Sequence, residues 1–95
     1  MEILSLIDKI DGYISNSNTP PSNIAFRIIE DVLRRDNFSV LAAEYPILDD
    51  IVAIASDMEV WQDGTLNMER GHQHLVDSFI CLKNEIEKQI NLKMK

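Results

Sequence analysis

The hydrophobic positions of this chain recur with the period of an α-helix along most of its length. Near the start, Ile3, Ile7, Ile10 and Ile14 are spaced four, three and four residues apart, which is the spacing of one buried helix face. The period returns in later stretches, and no stretch alternates as a β-strand does. The pattern predicts an all-α fold, an antiparallel bundle of four to five helices at about 2–16, 20–36, 39–45, 46–59 and 66–92.

Turn-forming residues separate the predicted helices. Thr19 precedes two prolines and is the predicted N-cap of the second helix, with a proline ring at the first helical position. Pro46 lacks a backbone donor and disfavours helical geometry at Tyr45, so either a new helix begins there or one helix is kinked. Asp63-Gly64 is a strong turn signal and predicts a helix connection before the last segment.

Length and composition indicate one globular domain covering 1–95. The chain has 95 residues, of which 45% are apolar, and this is enough for a modest single core. Its single cysteine, Cys81, excludes an internal disulfide, and its apolar neighbours predict a position near a helix core. The N-terminal segment lacks the pattern of a secretory signal, and no apolar run is long enough to span a bilayer. We expect a cytoplasmic protein without membrane contact.

The charges are distributed unevenly along the chain. Between Arg35 and Arg70 there are eight acidic residues and no lysine or arginine, whereas the rest of the chain carries nine basic and eight acidic residues. The whole negative balance of −7 therefore comes from one stretch. Such a region repels phosphate and attracts cationic proteins, so we expect a basic protein partner and no direct binding of nucleic acid.

The acidic residues and two aromatic residues of this stretch are the candidate binding site. Asp50 and Asp57 are seven positions apart and share a helix face, and Asp49 lies about 100° from Asp50. A solvated face that only keeps the domain soluble is the alternative interpretation. The predicted partner-binding residues are Glu44, Tyr45, Asp49, Asp50, Asp57, Glu59, Trp61 and Asp63.

The aromatic members of this set have a structural interpretation as well. Trp61, the only tryptophan, is either an anchor for a basic partner or a loop residue folded back over the helical core. Tyr45 stands either exposed at the proline bend or over the edge of the core, and the second position is the one we favour. It is placed at the rim of the predicted surface.

No motif in the sequence indicates catalysis, a cofactor or a metal site. His72 and His74 lie two positions apart on a predicted helix, where their side chains diverge by about 200° and cannot hold one ion together. The chain contains no glycine-rich phosphate loop, no CxxC pair and no nucleophile elbow. We therefore expect a binding protein that is not an enzyme and that uses no cofactor.

The segment Ile47–Asp57, followed by an acidic loop and a long amphipathic helix, is similar in layout to the colicin D-like immunity family. It also resembles the immunity proteins of contact-dependent growth inhibition. The resemblance covers about residues 24–90 and implies a small helical protein that presents acidic side chains to the basic active site of a tRNA-cleaving toxin. The DNase-colicin immunity proteins carry an Asp-x-Ile-Tyr-Tyr-Pro segment, which Glu44-Tyr45-Pro46 matches only in part. A ribonuclease is accordingly the expected toxin.

Other functions fit the same sequence. A structural or regulatory homodimer could bury an apolar face that includes Phe26, Phe38 and Val60, with the acidic side serving solubility. A mimic of nucleic acid would bind several unrelated DNA- or RNA-binding proteins. An immunity protein that guards a membrane receptor is a further alternative, but it would call for a more basic or amphipathic tail than Ile86–Lys95.

Overall fold

The computed structural model describes residues 2–16 and 18–94, and it confirms the all-α prediction. Within these residues there are five α-helices and no β-strand. Each helix lies within a few residues of a predicted one, although the second prediction covers two successive segments. The helices are α1 Glu2–Ser15, α2 Pro21–Ile28, α3 Phe38–Glu44, α4 Ile47–Met58 and α5 Leu66–Met94, and α2 continues directly into a π-helical turn at Ile29–Leu33.

The core is built from the apolar faces of the helices, and α4 lies at its centre. α4 packs against α5, α2 and α3, and buries Leu48, Ile51 and Met58 completely. Burying one such side chain stabilises the fold by about 1.5–3 kcal/mol. Apart from tyrosine, no polar or charged side chain of the described residues lies in this core.

Helices α4 and α5 run antiparallel, as predicted. Met58 at the end of α4 lies beside Gly71 in the early part of α5. Ile47 at the start of α4 lines a pocket together with Leu82, which lies later in α5. α5 has 29 residues and a length of about 43 Å at 1.5 Å per residue, so it spans nearly the whole 46 Å long axis of the molecule. No helix in the described part of the chain is both long and apolar enough to cross a membrane.

The bend at Tyr45-Pro46 separates two helices and does not kink a single one. α3 ends at Glu44, and Tyr45 has φ −127° and ψ 83°, outside the helical region that a following proline disfavours. Pro46 returns to helical angles, and α4 begins at Ile47. The proline thus turns the chain and sets the direction of α4.

Two expectations about single residues are wrong. The N-cap of α2 is Pro20 and not Thr19, because the extended backbone continues to Pro20 and Pro21 occupies the first helical position. Cys81 is exposed and does not lie near the core, because the buried stripe of α5 passes through its neighbours Phe79 and Leu82.

Candidate partner-binding surface

Three of the predicted carboxylates lie on the outer face of α4. Asp49, Asp50 and Asp57 are all exposed, opposite the stripe that α4 buries in the core. Between them on this face lie Ala53 and Ser56, which are small and also exposed. The carboxylates are therefore not shielded by larger neighbours on their own helix.

Two further carboxylates flank α4. Glu44 is the last residue of α3, and Glu59 directly follows α4; both are exposed. We call the set Glu44, Asp49, Asp50, Asp57 and Glu59 the acidic surface. In the described part of the chain, Asp49, Asp50, Asp57 and Glu59 form no ion pair and accept no side-chain hydrogen bond. Their charges are available to a partner.

Asp63 has a different environment from the acidic surface. One of its carboxylate oxygens accepts a hydrogen bond from the backbone N–H of Ser22 at 3.1 Å, and the other accepts one from the Ser22 hydroxyl at 2.6 Å. Ser22 lies in the first turn of α2, whose own N-cap residue is a proline without a side-chain acceptor. Asp63 thus caps α2 from the α4–α5 loop.

Trp61 is folded back onto the core, as one of its two interpretations predicted. Its ring is partly buried and packs over Gly71 of α5. A Cβ atom at position 71 would lie 2.6 Å from the Cζ3 atom of the Trp61 ring, so only glycine leaves the ring its place. This packing against α5 holds the Trp61 ring, and with it the α4–α5 loop, against the core.

Gly64 and Thr65 have structural roles of their own in the α4–α5 loop. Gly64 has a positive φ of 84°, which confirms the turn predicted from Asp63-Gly64. The Thr65 hydroxyl accepts a hydrogen bond from the backbone N–H of Met68 at 3.3 Å and donates one to the carbonyl of Gln62 at 2.7 Å. Thr65 therefore caps the start of α5.

Tyr45 is a core residue and not an exposed member of the rim. Only 2% of its surface is accessible, because the ring is covered where the α3–α4 bend meets α5. Its hydroxyl is buried, beside the carboxylate of Glu44. Burial raises the pKa of Tyr45, and the negative charge of Glu44 raises it further.

A small pocket lies at this bend. It has a volume of about 250 Å³ and is lined by Tyr45, Pro46, Ile47, Leu82 and Glu85. We call it the bend pocket. Glu85 could not be singled out from the sequence, because its proximity to Tyr45 depends on the register between α4 and α5, which no local pattern in the sequence specifies.

Comparisons of the chain with known protein families, with curated proteins and with solved structures find no significant match.

Proposed function

We propose that this chain is an immunity protein that binds and neutralises a basic nuclease toxin, a ribonuclease that cleaves tRNA. The acidic surface would cover the cleft in which the toxin binds its nucleic acid. The protein itself would carry out no chemistry and would act in the cytoplasm, where such a toxin meets its substrate. The resemblance in layout to colicin D-like immunity proteins supports this class of partner.

One observation carries the proposal: the exposed carboxylates of α4 form no ion pair in the described part of the chain. A surface that serves only solubility normally mixes both signs of charge, because a field of one sign destabilises the folded state through repulsion. Here Asp49, Asp50 and Asp57 share one exposed helix face within a window that contains no lysine or arginine. Basic groups of a partner would relieve this repulsion.

The spacing of the carboxylates suits an extended basic cleft. Asp50 and Asp57 lie seven residues apart on α4, which is about 10 Å along the helix axis. Both can therefore pair with separate basic side chains of one cleft. Association driven by such charges is fast at low ionic strength and slows as salt is added.

The test is binding to the protein encoded directly upstream, because toxins and their immunity proteins are encoded together. We expect that protein to end in a small basic domain and to purify as a complex with this chain, with nuclease activity that the chain suppresses. A panel of unrelated DNA-binding proteins serves as the control. Binding across the panel would favour a nucleic-acid mimic, and failure to bind the neighbouring protein would contradict the proposal.

A homodimer is the second candidate, because large apolar side chains are exposed on the described part of the protein. Phe26 is 53% exposed and Val60 is 80% exposed, whereas Phe38 packs partly against the core. A dimer that buries them would be held by apolar contacts and would persist at high salt. Light scattering in low and in high salt separates the two functions, since the proposed immunity protein requires no salt-insensitive dimer.

A further inference from the structure

Val60 is the most exposed large apolar side chain in the described part of the chain, at 80%. Single exposed apolar residues are common on protein surfaces and need no function. Val60 differs from them because it extends the acidic face of α4. Its backbone N–H donates a hydrogen bond to the carbonyl of Asp57 at 3.2 Å, and in a turn of this i to i+3 kind the two side chains lie on the same face.

The backbone around Val60 is joined to the rest of the fold by hydrogen bonds and packing. One residue further on, the N–H of Trp61 donates a hydrogen bond to the carbonyl of Met58 at 3.2 Å, and the Trp61 ring packs over Gly71 of α5. Valine is also stiff about its single side-chain torsion. Val60 therefore has little conformational freedom to lose when a partner covers it, which favours binding.

The charges around Val60 indicate what kind of surface can cover it. Asp57 and Glu59 are both exposed and form no ion pair in the described part of the chain. A two-fold contact between two copies centred on Val60 would bring the same carboxylates together, and like charges placed opposite each other cost free energy. A basic surface would pair with them instead. An apolar centre with a charged rim is the usual arrangement of a protein interface.

We propose that Val60 inserts into an apolar recess of the basic partner, with lysine or arginine side chains at the edge of the recess paired to Asp57 and Glu59. This inference rests on the proposed function, since it assumes a basic partner. It assigns two roles within one interface. The carboxylates raise the rate of association by long-range attraction, and Val60 slows dissociation and selects a partner with a matching recess.

The test is a measurement of association and dissociation rate constants by surface plasmon resonance, with the basic protein encoded directly upstream as the partner. Val60→Ala should raise the dissociation rate constant by about tenfold, because it removes the equivalent of about two methylene groups from the recess. The association rate constant should stay within about twofold. Val60→Thr keeps the branched shape and should also accelerate dissociation, because its hydroxyl would be buried among apolar groups.

Leu92→Ala is the control for loss of exposed apolar surface. Leu92 is 72% exposed and lies on α5 about 30 Å along the helix axis beyond Gly71, so both rate constants should remain unchanged. Asp57→Asn should lower mainly the association rate constant, and added salt should reduce this effect. Added salt should leave the ratio of the dissociation rate constants of Val60→Ala and the original protein unchanged.

An unaltered dissociation rate in Val60→Ala, dissociation of Val60→Thr as slow as that of the original protein, or an equal effect of Leu92→Ala would overturn the anchor. A change in oligomeric state on Val60→Ala, measured by light scattering, would identify a second copy as the occupant and would overturn it as well. In these cases binding of the original protein would still support the proposed function. If the original protein does not bind the upstream protein at all, the proposed function and the anchor both fail.

Discussion

Gly71 leaves the space that the ring of Trp61 occupies. A Cβ atom on residue 71 would lie 2.6 Å from the ring and 3.1 Å from the Cγ atom of Met58, so even alanine is too large there. Gly71 is itself buried inside α5, where glycine is otherwise unfavourable. The contact joins the α4–α5 loop to the core and keeps the loop in one conformation.

Gly71→Ala should therefore destabilise the protein in spite of the better helix propensity of alanine. Gly12→Ala is the matched control, because a Cβ atom there meets nothing within 4 Å and the exchange should stabilise α1 by up to about 1 kcal/mol. In urea unfolding at pH 7, we expect Gly71→Ala to be about 1–3 kcal/mol less stable than Gly12→Ala. Equal stability of the two variants would mean that Trp61 moves aside without cost.

Removing the cap that Asp63 provides should destabilise α2. Asp63→Ala leaves the N–H and hydroxyl of Ser22 without their acceptor, and we expect a loss of about 1 kcal/mol in thermal or urea unfolding. Glu59→Ala, in the same loop but without a side-chain hydrogen bond among the described residues, should change stability by less than about 0.5 kcal/mol. If Ser22→Ala and Asp63→Ala have strictly additive effects, the two residues do not interact.

The two ends of α4 should respond oppositely to the loss of a carboxylate. Asp49 lies in the first turn, where a negative charge is favoured by the helix dipole, and Asp57 lies in the last turn, where it is disfavoured. At low ionic strength, Asp49→Asn should lower stability by about 0.3–1 kcal/mol and Asp57→Asn should raise it by a similar amount. Equal changes in the free energy of unfolding, in the same direction for both variants, would contradict this effect of the helix dipole.

Stability should fall at alkaline pH because Tyr45 must remain neutral in the core. Its pKa in the fold is raised above 10.0, chiefly by burial, so the folded state holds this proton at pH values where the unfolded chain has lost it. The stabilisation that comes from keeping Tyr45 neutral is fully present below about pH 10, and it disappears as the pH rises through the raised pKa of Tyr45 in the folded state. Tyr45→Phe removes this dependence, and the difference between the urea midpoints of the two proteins from pH 9 to 11 measures it. If the urea midpoints of the two proteins changed in parallel from pH 9 to 11, the Tyr45 hydroxyl would not be buried.

The helices could be predicted from the sequence because each one carries its own apolar stripe. Even the short α3 has a local signal, since Pro46 fixes where it must end. The function of single residues in the acidic window could not be predicted in the same way. The pairing of Asp63 with Ser22 joins positions 41 apart, and the neighbouring Gly64 predicts a turn but not this partner.

A glycine inside a helix does not by itself indicate a contact, since Gly12 of α1 meets nothing within 4 Å whereas Gly71 of α5 lies under an aromatic ring. Its partner, Trp61, could not be inferred, because the place where the loop folds back depends on the register of α4 against α5. The same register brings Glu85 to Tyr45. Tertiary packing therefore divided the predicted set into an exposed acidic surface and three residues held by structural contacts: Tyr45, Trp61 and Asp63.

The affinity of a charge-reversed variant for the basic protein encoded upstream tests the acidic surface most directly. Asp50→Lys combined with Asp57→Lys changes two exposed carboxylates that form no ion pair among the described residues. Their helix-dipole effects have opposite signs at the two ends of α4 and offset each other, so thermal unfolding should remain nearly unchanged. Asp8→Lys combined with Glu87→Lys changes the net charge equally at exposed positions away from α4 and is the control.

We expect the dissociation constant of the Asp50→Lys and Asp57→Lys variant, measured by calorimetry at low salt, to rise by about 100-fold, or about 2.8 kcal/mol. The control variant should bind within about threefold of the original protein. An unaltered affinity in the α4 variant, or an equal loss in both variants, would contradict the claim that the carboxylates of α4 bind the partner.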